Sequence, residues 1–105
     1  MNKVLVVGLD ALDPKLVEAW LPDLPTLQRL IKSGISGPLQ SIIQPVTPAA
    51  WTAMISGHNQ GYFGFTDYFY RPTSGYTPQF VHSGAIRCAT IDQQLAAAGR
   101  RSVMI

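Results

Sequence analysis

The chain has 105 residues, 47% hydrophobic and 13% charged, which suits one globular domain with a modest core and excludes a disordered tail. Its formal net charge of +2 is too small for a nucleic-acid surface, and its eight Lys and Arg residues are scattered, with Arg100-Arg101 the only adjacent pair. One cysteine, Cys88, excludes an internal disulfide and a thiolate zinc site, and its plain reading is a small apolar residue.

Lys3 to Leu9, "KVLVVGL", is a compact β-branched run, predicted as a strand buried on both faces in a parallel sheet covered by helices. It is too short for a signal-peptide core or a membrane span, so the chain is expected in the cytoplasm. Asp10 stands at the carboxyl end of this run. Asp13-Pro14 supplies an N-cap and a first-turn proline for a helix to about Trp20. Leu24-Pro25 opens a second helix, with Leu27, Leu30 and Ile31 along one side and Gly34 as a left-handed stop. After the Gly37-Pro38 turn, Leu39 to Ile43 predicts a short strand, and Pro48 to Ser56 a third helix ended by Gly57. Trp20 and Trp51 are expected to pack helices, and Thr52 to fill an ordinary helical position.

Residues 58–85, rich in Gly, Tyr, Phe and Pro, read as loop with short strand pieces near Gln79 to His82. Ile91 to Ala98 predicts a final helix stopped by Gly99. Ser102 to Ile105 starts another buried-strand pattern, as the next strand of an α/β unit does, so the sequence reads as cut rather than finished.

Two residues stand where chemistry is possible. A carboxylate at the end of a buried first strand lies where open α/β sheets bind ligands, and Asp10 offers hard oxygens to zinc, magnesium or manganese. Its plain alternative is a cap of the following turn. Thr47 precedes Pro48 at the start of the third helix. As an N-cap it would accept from the amide of Ala49 or Ala50. The same helix start favours an anionic phosphoryl group, but a threonine alcohol becomes a nucleophile only beside a base or a cation. Asp10 is the early carboxylate placed to hold one. A phosphatase with Asp10 as nucleophile would want an aspartate at position 12, which is Leu12, and Gly8 belongs to no dinucleotide-binding glycine run.

"VLVVGLDALDP" followed by "LPTLQRLIKSGISGPLQSIIQPVTPAAWTAMISGHNQGYFGFTDY" resembles the type I phosphodiesterase and nucleotide pyrophosphatase family of the alkaline phosphatase superfamily, over roughly residues 3 to 70. The resemblance implies the N-terminal part of an alkaline-phosphatase-like three-layer α/β/α sandwich with a mostly parallel sheet, residues 1–105 being a fragment of one catalytic domain. It implies a site with two divalent metal ions, zinc or manganese, in which Asp10 matches the first metal ligand. Thr47 matches the nucleophile, itself a metal ligand, which attacks phosphorus to give a phosphothreonine that water then releases. Substrates would be small phosphate esters or nucleotides; the superfamily also handles sulfate esters and phosphonates.

The sequence departs from the pyrophosphatase branch at its His-Gly pair, where Phe63-Gly64 stands, and at a following asparagine, where Asp67 or Tyr68 stands. Asp67 reads as a turn residue. The remaining family ligands are Asp and His residues of a longer chain. With six acids and two histidines, His58 and His82, this chain cannot assemble a closed two-metal site, and the fragment alone is expected to be inactive. Both histidines read as surface or packing residues. The aromatic group Tyr62, Phe63, Phe65, Tyr68, Phe69 and Tyr70 reads as loop packing rather than a base-stacking pocket. The rival reading is a non-catalytic binding module that forms a homodimer through an exposed sheet edge.

Overall fold

A computed structural model of the chain describes residues 3–105 and divides into two compact units, the first running to Gln40 and the second Ser41–Ile105. In the first, helix α1 spans Pro14–Trp20, a 3-10 turn Leu21–Asp23 and helix α2 Pro25–Ser33. The Asp13 carboxylate accepts from the Lys15 amide at 2.7 Å, so it caps α1 as the sequence predicts, with Pro14 in the first turn. The Gln28 side-chain amide donates to the carbonyls of Leu21 (2.6 Å) and Pro22 (3.1 Å), tying the turn to α2. Gly34 is extended (φ −130°, ψ −158°), not left-handed. Its lack of a side chain is still used, because a Cβ there would sit 3.1 Å from the Leu30 carbonyl oxygen.

The predicted strands Lys3 to Leu9 and Leu39 to Ile43 do not form. Val4 and Leu5 are each 86% exposed and Ile43 96%. A run that is apolar on both faces becomes a strand only with ladder partners on its edges and layers above and below, and no strand pairs with these runs among the described residues. Of residues 3–40, none is buried. Trp20, expected to pack a helix, is accordingly 54% exposed.

The second unit carries helix α3 (Thr47–Ser56), a one-turn helix α4 (Gln60–Phe63), strands β1 (Phe69–Tyr70) and β2 (Gln79–Phe80), a 3-10 turn Ser83–Ala85 and helix α5 (Ile91–Ala97). Its core is Ala49 of α3 with Phe63 and Phe65, flanked by Ile42, Val46, Ala53, Tyr70, Val81, Ile86 and Cys88. Cys88 thus packs as a small apolar residue. The strands pair antiparallel with Phe69 opposite Phe80, and the two rings lie 4.3 Å apart. The short strand expected near Gln79 is therefore present, while α4 and β1 fall in what reads as loop. The described residues combine helices with a small two-stranded sheet, consistent with an α/β chain.

Glycine stops end α3 and α5 where the sequence predicts them. Gly57 (φ 72°) and Gly99 (φ 67°) both take the left-handed conformation the sequence predicts. Around Gly57 an added Cβ would meet open space, so Gly57→Ala isolates the backbone term. We expect it to destabilise the second unit by about 1–2 kcal/mol in chemical denaturation.

Candidate functional site

Asp10 closes the apolar run and enters a turn with Ala11. It is exposed, and its Oδ1 accepts from the Ala11 amide at 3.1 Å. Ala11 sits at φ 55°, a left-handed conformation that costs a residue with a Cβ about 1 kcal/mol. The turn reading of Asp10 therefore holds for one carboxylate oxygen, while Oδ2 makes no hydrogen bond among the described residues.

Thr47 is the first residue of α3, and Val46, not Thr47, is the N-cap. The Ala50 amide donates to the Val46 carbonyl at 2.9 Å, so the first helical turn closes one residue earlier than the position of Pro48 suggests. Pro48 is tolerated second in the helix because its missing donor falls ahead of that first bond. No side chain caps the helix, which corrects the expectation that the Thr47 hydroxyl accepts from Ala49 or Ala50. Thr47 is half-buried, no capping bond uses its hydroxyl, and that oxygen reaches solvent. Asp10 belongs to the first unit and Thr47 to the second.

Segments around α3 are occupied by packing and turn roles. Ser56 is buried at the helix end, donates to the Thr52 carbonyl at 2.6 Å and accepts from the His58 amide at 3.2 Å. The His58 ring stacks on Tyr62, with centroids 4.1 Å apart and planes 10° from parallel. His82 accepts from the Gly84 amide through Nδ1 at 3.1 Å, and its Nε2 lies 3.3 Å from the Tyr70 hydroxyl. Both histidines thus carry the packing roles expected of them. Asp67 accepts from the Tyr68 amide at 2.6 Å, as a turn residue does. Phe63 is fully buried, with its ring 4.8 Å from that of Phe65. Thr52, read as an ordinary helical position, is buried.

The donor chemistry of Asp10 and Thr47, hard carboxylate and hydroxyl oxygens, suits zinc or manganese in kind but not in number. Among the described residues there is no group of three or more His, Cys, Asp or Glu able to hold a metal ion.

Sequence reasoning missed α4 and with it Gln60. The signal was present: Asn59 precedes the turn as N-cap and Gly64 (φ 96°) ends it in the left-handed conformation. The Gln60 side-chain amide donates to the Gln44 carbonyl at 3.2 Å, a bond across sixteen positions. No periodic pattern in the sequence reports such a contact.

The sequence pattern of the type I phosphodiesterase / nucleotide pyrophosphatase family matches residues 4–104. No curated protein and no solved structure matches the chain. Among the described residues no helix is long and apolar enough to cross a membrane.

Proposed function

The chain belongs to the type I phosphodiesterase / nucleotide pyrophosphatase family, and on that premise we propose that its full-length form hydrolyses phosphodiester or phosphoanhydride bonds through Thr47. The family indicates a hydrolase acting on small phosphate esters. The observation that carries the assignment of Thr47 is the state of its hydroxyl. It stands first in a ten-residue helix and caps none of its amides. A capping threonine would have spent that oxygen on an amide.

In the reaction we propose, the Thr47 oxygen forms a bond to phosphorus as the bond from phosphorus to the leaving oxygen breaks. The leaving oxygen takes the electron pair and a proton from solvent, and the threonine proton passes to solvent. Water then attacks the phosphothreonine, the bond to Thr47 breaks, and the hydroxyl is restored. Partial positive charge at the start of α3 favours the phosphoryl oxygens in both steps. Divalent cations, when bound, would polarise the phosphoryl group and ease ionisation of the alcohol.

Asp10 and Thr47 are proposed ligands of two such ions, zinc or manganese, with the other ligands outside these residues. The turn at Asp10 supports a binding role, because strained backbone persists where a site requires it. We assign the chain to an alkaline-phosphatase-like domain, a three-layer α/β/α sandwich with a mostly parallel sheet. In that fold the exposed runs at Val4 and Val103 would be strands. The donor count implies that this chain alone turns over little or no substrate. Asp10→Asn in the full-length protein is expected to lower zinc affinity at least about tenfold in competition titrations, by analogy with supporting-residue losses at metal sites. Unchanged affinity would remove Asp10 from the metal set.

The exposed apolar residues of the first unit favour one second reading, a non-catalytic module that dimerises. Light scattering on this chain separates it: a stable dimer without turnover by the full-length protein supports the module, and a monomer argues against it.

A further inference from the structure

We propose that Gln60 is a positioning residue for Thr47, holding the turn that leads into α3 through its side-chain amide; this rests on the reading of Thr47 as nucleophile. The Gln44 carbonyl accepts two hydrogen bonds, one from the Val46 amide at 2.8 Å across Pro45 and one from Gln60 Nε2 at 3.2 Å. The first closes a tight three-residue turn, and the second fixes that turn to α4. Val46 then accepts from the Ala50 amide at 2.9 Å and becomes the N-cap, and Thr47 is the next residue. The side chain of Gln60 is thus one carbonyl and one turn away from the backbone that aims the nucleophile.

What makes Gln60 a firm anchor is the rest of α4. Phe63, three residues on, is fully buried in the cluster with Ala49, which lies two residues after Thr47. The Gly64 amide donates to the Gln60 carbonyl at 3.0 Å, so Gln60 is held by its own backbone as well. A single turn of helix therefore touches the start of α3 twice: Phe63 grips its first turn from the core side, and Gln60 grips the segment that enters it. An apolar contact fixes distance, whereas a hydrogen bond to a carbonyl also fixes direction. Losing the second leaves the helix in place and its first hydroxyl less well aimed.

Two variants of the full-length protein test this. Gln60→Met keeps the length of the side chain and removes the donor, while Gln60→Lys keeps a donor. We expect Gln60→Met to lower kcat about tenfold, with KM and the pH profile unchanged. Gln60→Lys should restore most of the loss. In this chain, hydrogen exchange of the Val46 amide should quicken in Gln60→Met and not in Gln60→Lys. Wild-type kcat and Val46 exchange in Gln60→Met, or an equal loss in both variants, would overturn the brace. Turnover by Thr47→Ala would instead overturn the nucleophile and the positioning role with it; an inactive Thr47→Ala beside a fully active Gln60→Met overturns the brace alone.

Discussion

Replacing Thr47 by alanine in the full-length protein is expected to lower kcat by about three orders of magnitude or more while leaving the fold intact. The change removes one hydroxyl and one methyl group from a half-buried residue at the start of α3. That hydroxyl caps no backbone amide of the helix, and alanine is a better helix former than threonine. Stability should therefore stay within about 0.5 kcal/mol of wild type. A capping threonine predicts the reverse: a loss of about 1 kcal/mol in stability and no effect on turnover. The two roles are read on different axes, so thermal denaturation and steady-state kinetics on one variant separate them. Thr47→Ser, which keeps the oxygen, should retain measurable activity.

Phe63→Ala is the substitution with the largest expected effect on stability, a loss of about 3–5 kcal/mol. Phe63 is the largest fully buried side chain of the described residues, and the only fully or nearly fully buried residues clustered with it are Ala49 and Phe65, with partly buried apolar residues around them. So small a cluster has little to collapse into the cavity, and the loss is a large part of what a small unit possesses. Urea denaturation should show the second unit largely unfolded in this variant. Phe63→His should also destabilise, because it puts a polar ring into an apolar cluster.

The helices were legible because their signals are local. Asp13-Pro14 opens α1, Pro25 opens α2, Gly57 stops α3 and Gly99 follows α5, and each acts through its own backbone or its nearest amides. The start of α5 is held in the same way, with the Thr90 amide donating to Gln93 Oε1 at 3.1 Å. Strands depend on partners distant in the chain. The run Lys3 to Leu9 has the right composition, yet no described segment pairs with it. Helix α4 was hidden for the opposite reason: four residues show no period, and only the flanking Asn59 and Gly64 mark it.

For the candidate site, residue types were legible and atomic roles were not. Thr47 was visible at a helix start, but its place in the first turn is set by the Val46 carbonyl, one residue away from the cap that Pro48 suggests. Asp10 was visible after its apolar run, while the left-handed Ala11 beside it was not. Gln60 could not be found by pattern, since its contact with Gln44 exists only once α4 has docked on the core.

Acid-quenching the full-length protein during turnover of a paranitrophenyl phosphate ester, and mapping any phosphoryl group along the chain by mass spectrometry, reads the bond to phosphorus itself. A phosphoryl group on Thr47, absent from an inactive Thr47→Ala protein, is the predicted result. Label on another side chain, or undiminished ester cleavage once the position-47 oxygen is gone, would contradict it.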